Sequence, residues 1–240
     1  MTVSGIDDLT KNIEDQWEEE HLWISNIYFG KQASINLATA IEQNTHWTKI
    51  QFDFCFFKKT KNFDSSGGEE NRNKIEEGLP TLVNALKSSL NINTIELENV
   101  RMEDEETTEM FAQVLRNNPT LKMLFWEKGE LTSRSAIIIA DAFAGNTALT
   151  HLSFTDNLLG NDGTLVLMNA LMSEKSSIQL EYLGLETNEI GNSGGRSILK
   201  ALEAGLEIEE ISLYGNYIDS DIVSSITKKC GRKASTSHNS

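Results

Sequence analysis

The chain has 240 residues and a formal net charge of −15, from 36 acidic and 21 basic side chains. This acidic excess disfavours general binding to nucleic acid, which is also negatively charged. No apolar run approaches the roughly 20 residues that a membrane helix needs, so we expect no membrane insertion. Two cysteines form neither a disulfide framework nor a zinc site of about four ligands. We therefore expect a soluble protein of a reducing compartment, the cytoplasm or the nucleus.

Residues 1–18 predict an amphipathic helix. Apolar side chains recur at helical spacing, and acidic side chains occupy much of the rest; the apolar positions are Ile6, Leu9, Ile13 and Trp17. The segment has no basic start followed by an apolar run, so it does not look like a secretory signal. We expect a helical cap on the structure that follows; a helix that binds a partner is the alternative.

One pattern occurs three times between residues 149 and 218. Apolar residues stand at its first, fourth, sixth and eleventh positions, and asparagine stands at its ninth. The copies are Leu149, Leu152, Phe154, Asn157 and Leu159; Leu180, Leu183, Leu185, Asn188 and Ile190; and Ile208, Ile211, Leu213, Asn216 and Ile218. The alternating residues predict a short strand with one buried face, and the asparagine is expected to bond buried loop amides. A helical apolar stripe follows each strand.

Weaker copies extend the pattern towards the N-terminus. All copies together start at residues 19, 47, 92, 121, 149, 180 and 208, and four of the six intervals are 28 or 29 residues. In the first four copies the ninth position holds Ile27, Cys55, Val100 and Gly129 instead of asparagine. A strand and helix of this size bury their apolar faces only by stacking on neighbours, so the sequence predicts about seven stacked units.

The repeats resemble those of the ribonuclease-inhibitor-like leucine-rich repeat proteins. The likeness lies in the 28-residue unit and in the asparagine with an Ile or Leu two positions later. A glycine follows (Gly163, Gly194), and an Ala-Leu pair ends the helical stripe (Ala170 and Leu171, Ala201 and Leu202). It implies an α/β solenoid or horseshoe over residues 19–227, with a parallel β-sheet on the concave face and α-helices on the convex face. Members differ widely in function, so the resemblance implies a fold and no particular activity.

Two further segments depart from the repeats. The second copy is about 16 residues longer than the others, and residues 58–74 are rich in glycine, serine and basic side chains. This composition predicts an inserted loop. Residues 228–240 are polar and basic, which predicts a disordered tail.

The strand positions that alternate with the inward leucines define a concave face. On it we expect a ladder of carboxylates beside exposed aromatic side chains, which suits a basic protein or peptide. The candidate partner-binding residues are Trp23, Asp53, Glu96, Glu98, Met123, Phe125, Glu127, Tyr182, Glu186 and Tyr214. Such ladders also serve simply to keep a parallel sheet soluble, which is the alternative.

The sequence shows no catalytic arrangement. The four histidines lie in different parts of the chain, and none has a nearby nucleophile with the spacing of a catalytic arrangement, so we predict no catalytic residues, no cofactor and no metal. The function predicted is a non-catalytic scaffold for protein–protein interaction. One alternative is a structural subunit of a larger assembly. Another is a GTPase activator resembling Ran GTPase-activating protein, although the chain lacks the acidic C-terminal stretch of that family.

Overall fold

The computed structural model describes residues 6–27, 29–55, 79–100 and 105–231. These contain seven strands in one sheet, ordered β1 to β7 along the chain, and every neighbouring pair is parallel. The strands are β1 (His21–Ser25), β2 (Lys49–Asp53), β3 (Thr94–Glu98), β4 (Met123–Glu127), β5 (His151–Ser153), β6 (Tyr182–Gly184) and β7 (Glu210–Ser212).

Eight helices belong to the same part of the chain. They are α1 (Ile6–Asp15), α2 (Lys31–Gln43), α3 (Leu79–Ser88), α4 (Glu105–Asn117), α5 (Ser133–Ala142), α6 (Gly160–Leu171), α7 (Asn192–Glu203) and α8 (Ser220–Lys229). Strands and helices alternate along the described residues, and helices of successive repeats pack on each other. The described residues therefore form the predicted α/β leucine-rich repeat solenoid, with seven strands.

The core lies between the sheet and the helices. Leu124, Leu152 and Leu183 occupy the fourth position of successive repeats, and each is buried there. Their counterpart Ile211 is half-buried because it belongs to the last repeat and has a neighbour on one side only. The predicted inward register is thus confirmed.

The asparagine of each strong repeat bonds the turn of the repeat before it. Asn157 Oδ1 accepts hydrogen bonds from the backbone amides of Gly129 at 3.0 Å and Leu131 at 2.9 Å. Its Nδ2 donates to the carbonyl oxygens of Trp126 and Phe154, both at 2.8 Å. The asparagine therefore satisfies buried loop groups, as predicted, and it also ties two repeats together.

A second set of asparagines was not anticipated from the sequence. Asn44, Asn118 and Asn146 are buried where the chain leaves a helix and approaches the next strand. Asn146 Nδ2 donates to the Leu115 carbonyl at 2.9 Å, and its Oδ1 accepts from the Leu149 amide at 2.7 Å. These residues stand three positions before the first apolar residue of a repeat, so the signal was present in the spacing.

Every repeat also contains one residue with a left-handed backbone directly before its ninth position. Six of the seven are not glycine: Asn26, Phe54, Asn99, Lys128, Asp156 and Thr187, with φ between 49° and 58°. The seventh is Gly215, with φ of 76°. A left-handed backbone is unfavourable for most residues other than glycine. The packing of the repeats must therefore offset the conformational strain of this turn.

Helix α1 packs against α2 and β1 at the N-terminal end of the solenoid, where it buries Leu9 and Ile13. The outer edge of β1 is covered by one side chain from the turn after α1. Gln16 Oε1 accepts from the Trp23 amide at 2.7 Å, and Gln16 Nε2 donates to the Trp23 carbonyl at 3.0 Å. The glutamine amide thus takes the place of a further strand at this edge.

The predicted loop at residues 58–74 lies outside the described residues. At the other end of the chain, α8 includes Lys228 and Lys229, so helix continues two residues into the segment assigned to the tail. Residues 232–240 lie outside the described part. Cys55 is buried, and burial raises the pKa of its thiol to about 12, which keeps the thiol protonated.

Candidate functional site

The strand pairing places the candidate residues in ladders on the concave face. The central ladder joins Trp23, Gln51, Glu96, Phe125, Ser153, Gly184 and Ser212. A second ladder joins Ser25, Asp53, Glu98 and Glu127, with Thr155, Glu186 and Tyr214 at the corresponding positions after β5, β6 and β7. A third joins His21, Lys49, Thr94, Met123, His151, Tyr182 and Glu210. The pairing register agrees with that expected from the sequence.

The candidate residues differ in how far they reach into solvent. Trp23 is 54% exposed and Tyr214 is 86% exposed, so the aromatic side chains at the two ends of the sheet are open to a partner. The other eight are half-buried: Asp53, Glu96, Glu98, Met123, Phe125, Glu127, Tyr182 and Glu186. The middle of the concave face is therefore a packed polar surface rather than a row of free side chains.

In the N-terminal half of this face, the chain provides partners for its own carboxylates. Lys49 Nζ lies 2.6 Å from Glu96 Oε1, and Lys128 Nζ lies 2.7 Å from Glu98 Oε1. Asn99 Nδ2 donates to Asp53 at 3.0 Å. Asp53 and Glu98 belong to the acidic ladder expected from the sequence, and Glu96 belongs to the central ladder. Lysines neutralise Glu96 and Glu98.

In the C-terminal half, hydroxyl groups link two carboxylates. Ser153 Oγ donates to Glu127 Oε1 at 2.9 Å, and Thr155 Oγ1 donates to Glu186 Oε2 at 2.6 Å. The two hydroxyl oxygens lie 3.0 Å apart, and Tyr182 also donates to Glu186, at 3.3 Å. Among the described residues, no lysine or arginine forms an ion pair with Glu127 or Glu186. Like Asp53, these two carboxylates therefore have no ion-pair partner in the described part of the chain.

Burial and charge act differently on the two carboxylates. Burial raises the pKa of Glu127 above its ordinary value, and the nearby Glu98 and Glu186 add to the rise. Burial also acts to raise the pKa of Glu186, but hydrogen bonds from Ser212, Thr155 and Tyr182 outweigh it and lower the pKa. Burial and the charge of Glu186 raise the pKa of Tyr182 to about 12, so the phenol stays a donor.

Two residues that the sequence placed on the exposed side of the strands are in fact buried. Ser153 is 1% exposed and Thr94 is 8% exposed. Ser153 points to the concave face, but side chains from the neighbouring repeats cover it through the hydrogen bonds just described. Gly184 makes room for this arrangement, because a Cβ there would lie 2.7 Å from Ser153 Oγ and 3.1 Å from Glu186 Oε2.

An aromatic pair borders the carboxylates. The rings of His151 and Tyr182 stack, with centroids 6.2 Å apart and planes 28° from parallel. His151 Nδ1 lies 2.9 Å from Thr150 Oγ1. The centre of the concave face thus combines flat aromatic surface with half-buried negative charge, which suits recognition of a cationic side chain.

Two exposed side chains outside the predicted set lie beside this site. Leu158 is 46% exposed and Tyr217 is 75% exposed. Each directly follows the ninth-position asparagine of its repeat, on the rim where the chain passes from strand to helix. The signal in the sequence was an apolar residue at a position that the repeat pattern does not require.

Among the described residues, no group of three or more His, Cys, Asp or Glu side chains has the arrangement of a metal site. None of the helices in the described part of the chain is long and apolar enough to span a membrane.

No protein-family model and no curated protein matches the chain. Solved structures do match. The structure of leiomodin-1 actin-binding site 2 aligns with a TM-score of 0.54 at 16% identity, over 62% of this chain and 86% of that one. A structure of the TLR13–ssRNA13 complex aligns with a TM-score of 0.45 at 11% identity; the match spans 95% of this chain but 29% of the other. The chain thus has the fold of leucine-rich repeat proteins.

Proposed function

We propose that the protein is a non-catalytic interaction scaffold that binds a basic protein or peptide on its concave face. The observation that carries this proposal is the linked pair Glu127 and Glu186, which is half-buried and has no cationic partner among the described residues. Burial makes the charged form of Glu127 less favourable, and a positive group beside it would offset that cost. A lysine or arginine of a partner would supply that group.

Aromatic side chains support the same function. Tyr182 beside the carboxylates and exposed Tyr214 in the next repeat offer the rigid, amphipathic surface that dominates many interfaces. Trp23, at the far end of the sheet, offers a second anchor. Phe125 and Met123 lie between the two ends on the same face, so a long partner would cross all of them.

The repeat pattern supports a ribonuclease-inhibitor-like solenoid as the scaffold. The unit of 28 or 29 residues and the asparagine bonds between neighbouring turns are the features on which this assignment rests. The likeness to the leiomodin-1 structure adds the fold alone. A cytoplasmic or nuclear location is part of the proposal, and it rests on the unpaired cysteines.

A structural role in a larger assembly is the second candidate, and one observation favours it. Ile137 is 57% exposed and Leu165 is 45% exposed, and both lie on the neighbouring helices α5 and α6. An apolar patch on the convex side would be covered in an assembly. A chain that remains monomeric at high concentration in light-scattering measurements would argue against this candidate. The GTPase-activator alternative is tested by a GTP hydrolysis assay with small GTPases.

The main experiment compares the wild-type chain with the charge-reversed double variant Glu127→Lys/Glu186→Lys as baits for affinity purification. Proteins retained by the wild type are then purified, and their dissociation constants are measured with both chains. We expect the double variant to weaken binding by about 1–3 kcal/mol per charge pair. The matched control is Glu109→Lys on α4, away from the concave face. Equal affinity of wild type and double variant would reject the concave site.

A further inference from the structure

The concave site continues onto the rim of the solenoid in repeats five to seven. We define the rim surface by Leu158 and Tyr217, which are exposed apolar and aromatic side chains, and by Asp156 and Glu189, which are exposed carboxylates. These residues lie one to three positions beyond the concave ladder that contains Glu186 and Tyr214. A partner on the concave face would therefore reach the rim surface without crossing a gap.

The backbone fixes the spacing of the two apolar side chains. Leu158 forms a parallel bridge with Thr132 of the preceding repeat, and its amide donates to the Leu131 carbonyl at 2.7 Å. Tyr217 forms the equivalent bridge with Gly191, and its amide donates to the Ile190 carbonyl at 2.7 Å. Neighbouring rim segments thus keep the spacing of paired strands. One repeat lies between those of Leu158 and Tyr217, so two strand spacings place their backbones roughly 10 Å apart.

The charge between the two apolar side chains is negative. Glu189 lies in the repeat between them, and Asp156 lies beside Leu158. Lys128 donates to Glu98 at 2.7 Å and also interacts electrostatically with Asp156, whereas Glu189 forms no ion pair among the described residues. The rim surface therefore complements a segment with positive charges around two apolar side chains.

We propose that the rim surface binds a cationic, amphipathic peptide segment of the partner that presents two apolar side chains about 10 Å apart. This inference rests on the proposed function, because the rim is continuous with the concave site. In a helix, side chains seven positions apart are separated by about 10.5 Å along the axis and lie on the same face, so a basic amphipathic helix has the required spacing.

The experiment uses two synthetic 15-residue probes with the full chain. One peptide has leucines at helical positions i, i+3, i+4 and i+7 among lysines, and the other has serines in place of the leucines. Isothermal titration calorimetry measures the affinity of each peptide for the wild type and for three variants. These are the rim variant Leu158→Ser/Tyr217→Ser, the convex control Ile137→Ser/Leu165→Ser, and the concave variant Glu127→Gln/Glu186→Gln. The single variant Tyr217→Ser replaces the rim variant if thermal unfolding shows that the latter is damaged.

We expect the leucine peptide to bind the wild type and the convex control equally, and the rim variant about tenfold or more weakly. The serine peptide should bind the rim variant and the wild type with the same low affinity. The inference would be overturned if the leucine peptide did not bind the wild type. It would also be overturned if the rim variant and the convex control lost the same affinity for that peptide. Loss of binding in the concave variant alone would overturn the rim inference and leave the proposed function standing. Loss in the rim variant alone would count against the concave site.

Discussion

Asn157 joins two repeats through Gly129: its Oδ1 accepts the Gly129 amide hydrogen at 3.0 Å, although the two residues are 28 positions apart in the chain. The same oxygen accepts from Leu131, and the amide nitrogen donates to three carbonyls. One buried side chain therefore bonds five backbone groups from two turns. Without it, these groups would lose their partners in a place with little access to water.

Asn157→Ala should lower the free energy of unfolding by about 3 kcal/mol, because it leaves several buried backbone groups without a partner. Urea denaturation followed by circular dichroism measures the loss. Asn169→Ala, on the exposed face of α6, is the matched control and should change stability by less than about 0.5 kcal/mol. Equal effects of the two changes would contradict the role given to Asn157.

Leu183→Ala should cost about 2–5 kcal/mol, because Leu183 is fully buried between β6 and the helices and the change leaves a cavity. Leu165→Ala removes the same atoms from a side chain that is 45% exposed and should cost much less. Denaturation curves of the two variants give the comparison. A small loss for Leu183→Ala would mean that the inward register is wrong.

Thr187→Asn should stabilise the chain. Thr187 is β-branched and has φ of 49°, a conformation that asparagine tolerates better. We expect a gain of about 0.5–1 kcal/mol in the free energy of unfolding, measured by thermal or urea denaturation. Thr147→Asn is the control, since Thr147 is exposed and has no positive φ. A loss of stability at position 187 would show that the turn is not strained.

Gly184→Ala should disturb the link between the two carboxylates. The added Cβ would lie 2.7 Å from Ser153 Oγ, so the hydroxyl must move away from Glu127 or Glu186 must lift off the sheet. We expect a destabilisation of about 1–3 kcal/mol and a rise in the pKa of Glu186 as its hydrogen bonds lengthen. Carboxyl carbon chemical shifts followed against pH report that pKa. An unchanged titration curve would contradict the proposed contact.

Glu127→Gln and Glu186→Gln should have opposite effects on stability at neutral pH. The folded chain raises the pKa of Glu127, so between the ordinary and the raised pKa the native state binds more protons and stability falls as pH rises. The folded chain lowers the pKa of Glu186, so its contribution is present above the ordinary pKa and is lost as pH falls through the lowered one. Each substitution should change the free energy of unfolding by less than about 1 kcal/mol, because both carboxylates are half exposed and screened by solvent.

Denaturation of the two variants and the wild type across the acidic range measures this difference. At neutral pH, Glu127→Gln should be as stable as the wild type or slightly more stable, and Glu186→Gln should be less stable. Below the lowered pKa of Glu186, the deficit of Glu186→Gln should disappear. The same sign for both variants at neutral pH would contradict the assignment of the two pKa shifts.

The solenoid, the inward leucines, the ladder register and the role of the ninth-position asparagines could all be predicted from the sequence. These follow from the spacing of residue types within a unit of 28 or 29 positions, because stacking repeats such a unit with the same faces buried. Which carboxylates are neutralised by lysines could not be predicted in this way. Lys49 meets Glu96, and Ser153 is buried beneath Glu127, through contacts between repeats. Such contacts depend on the length and direction of side chains from different turns of the solenoid, and these are set only when the repeats have stacked.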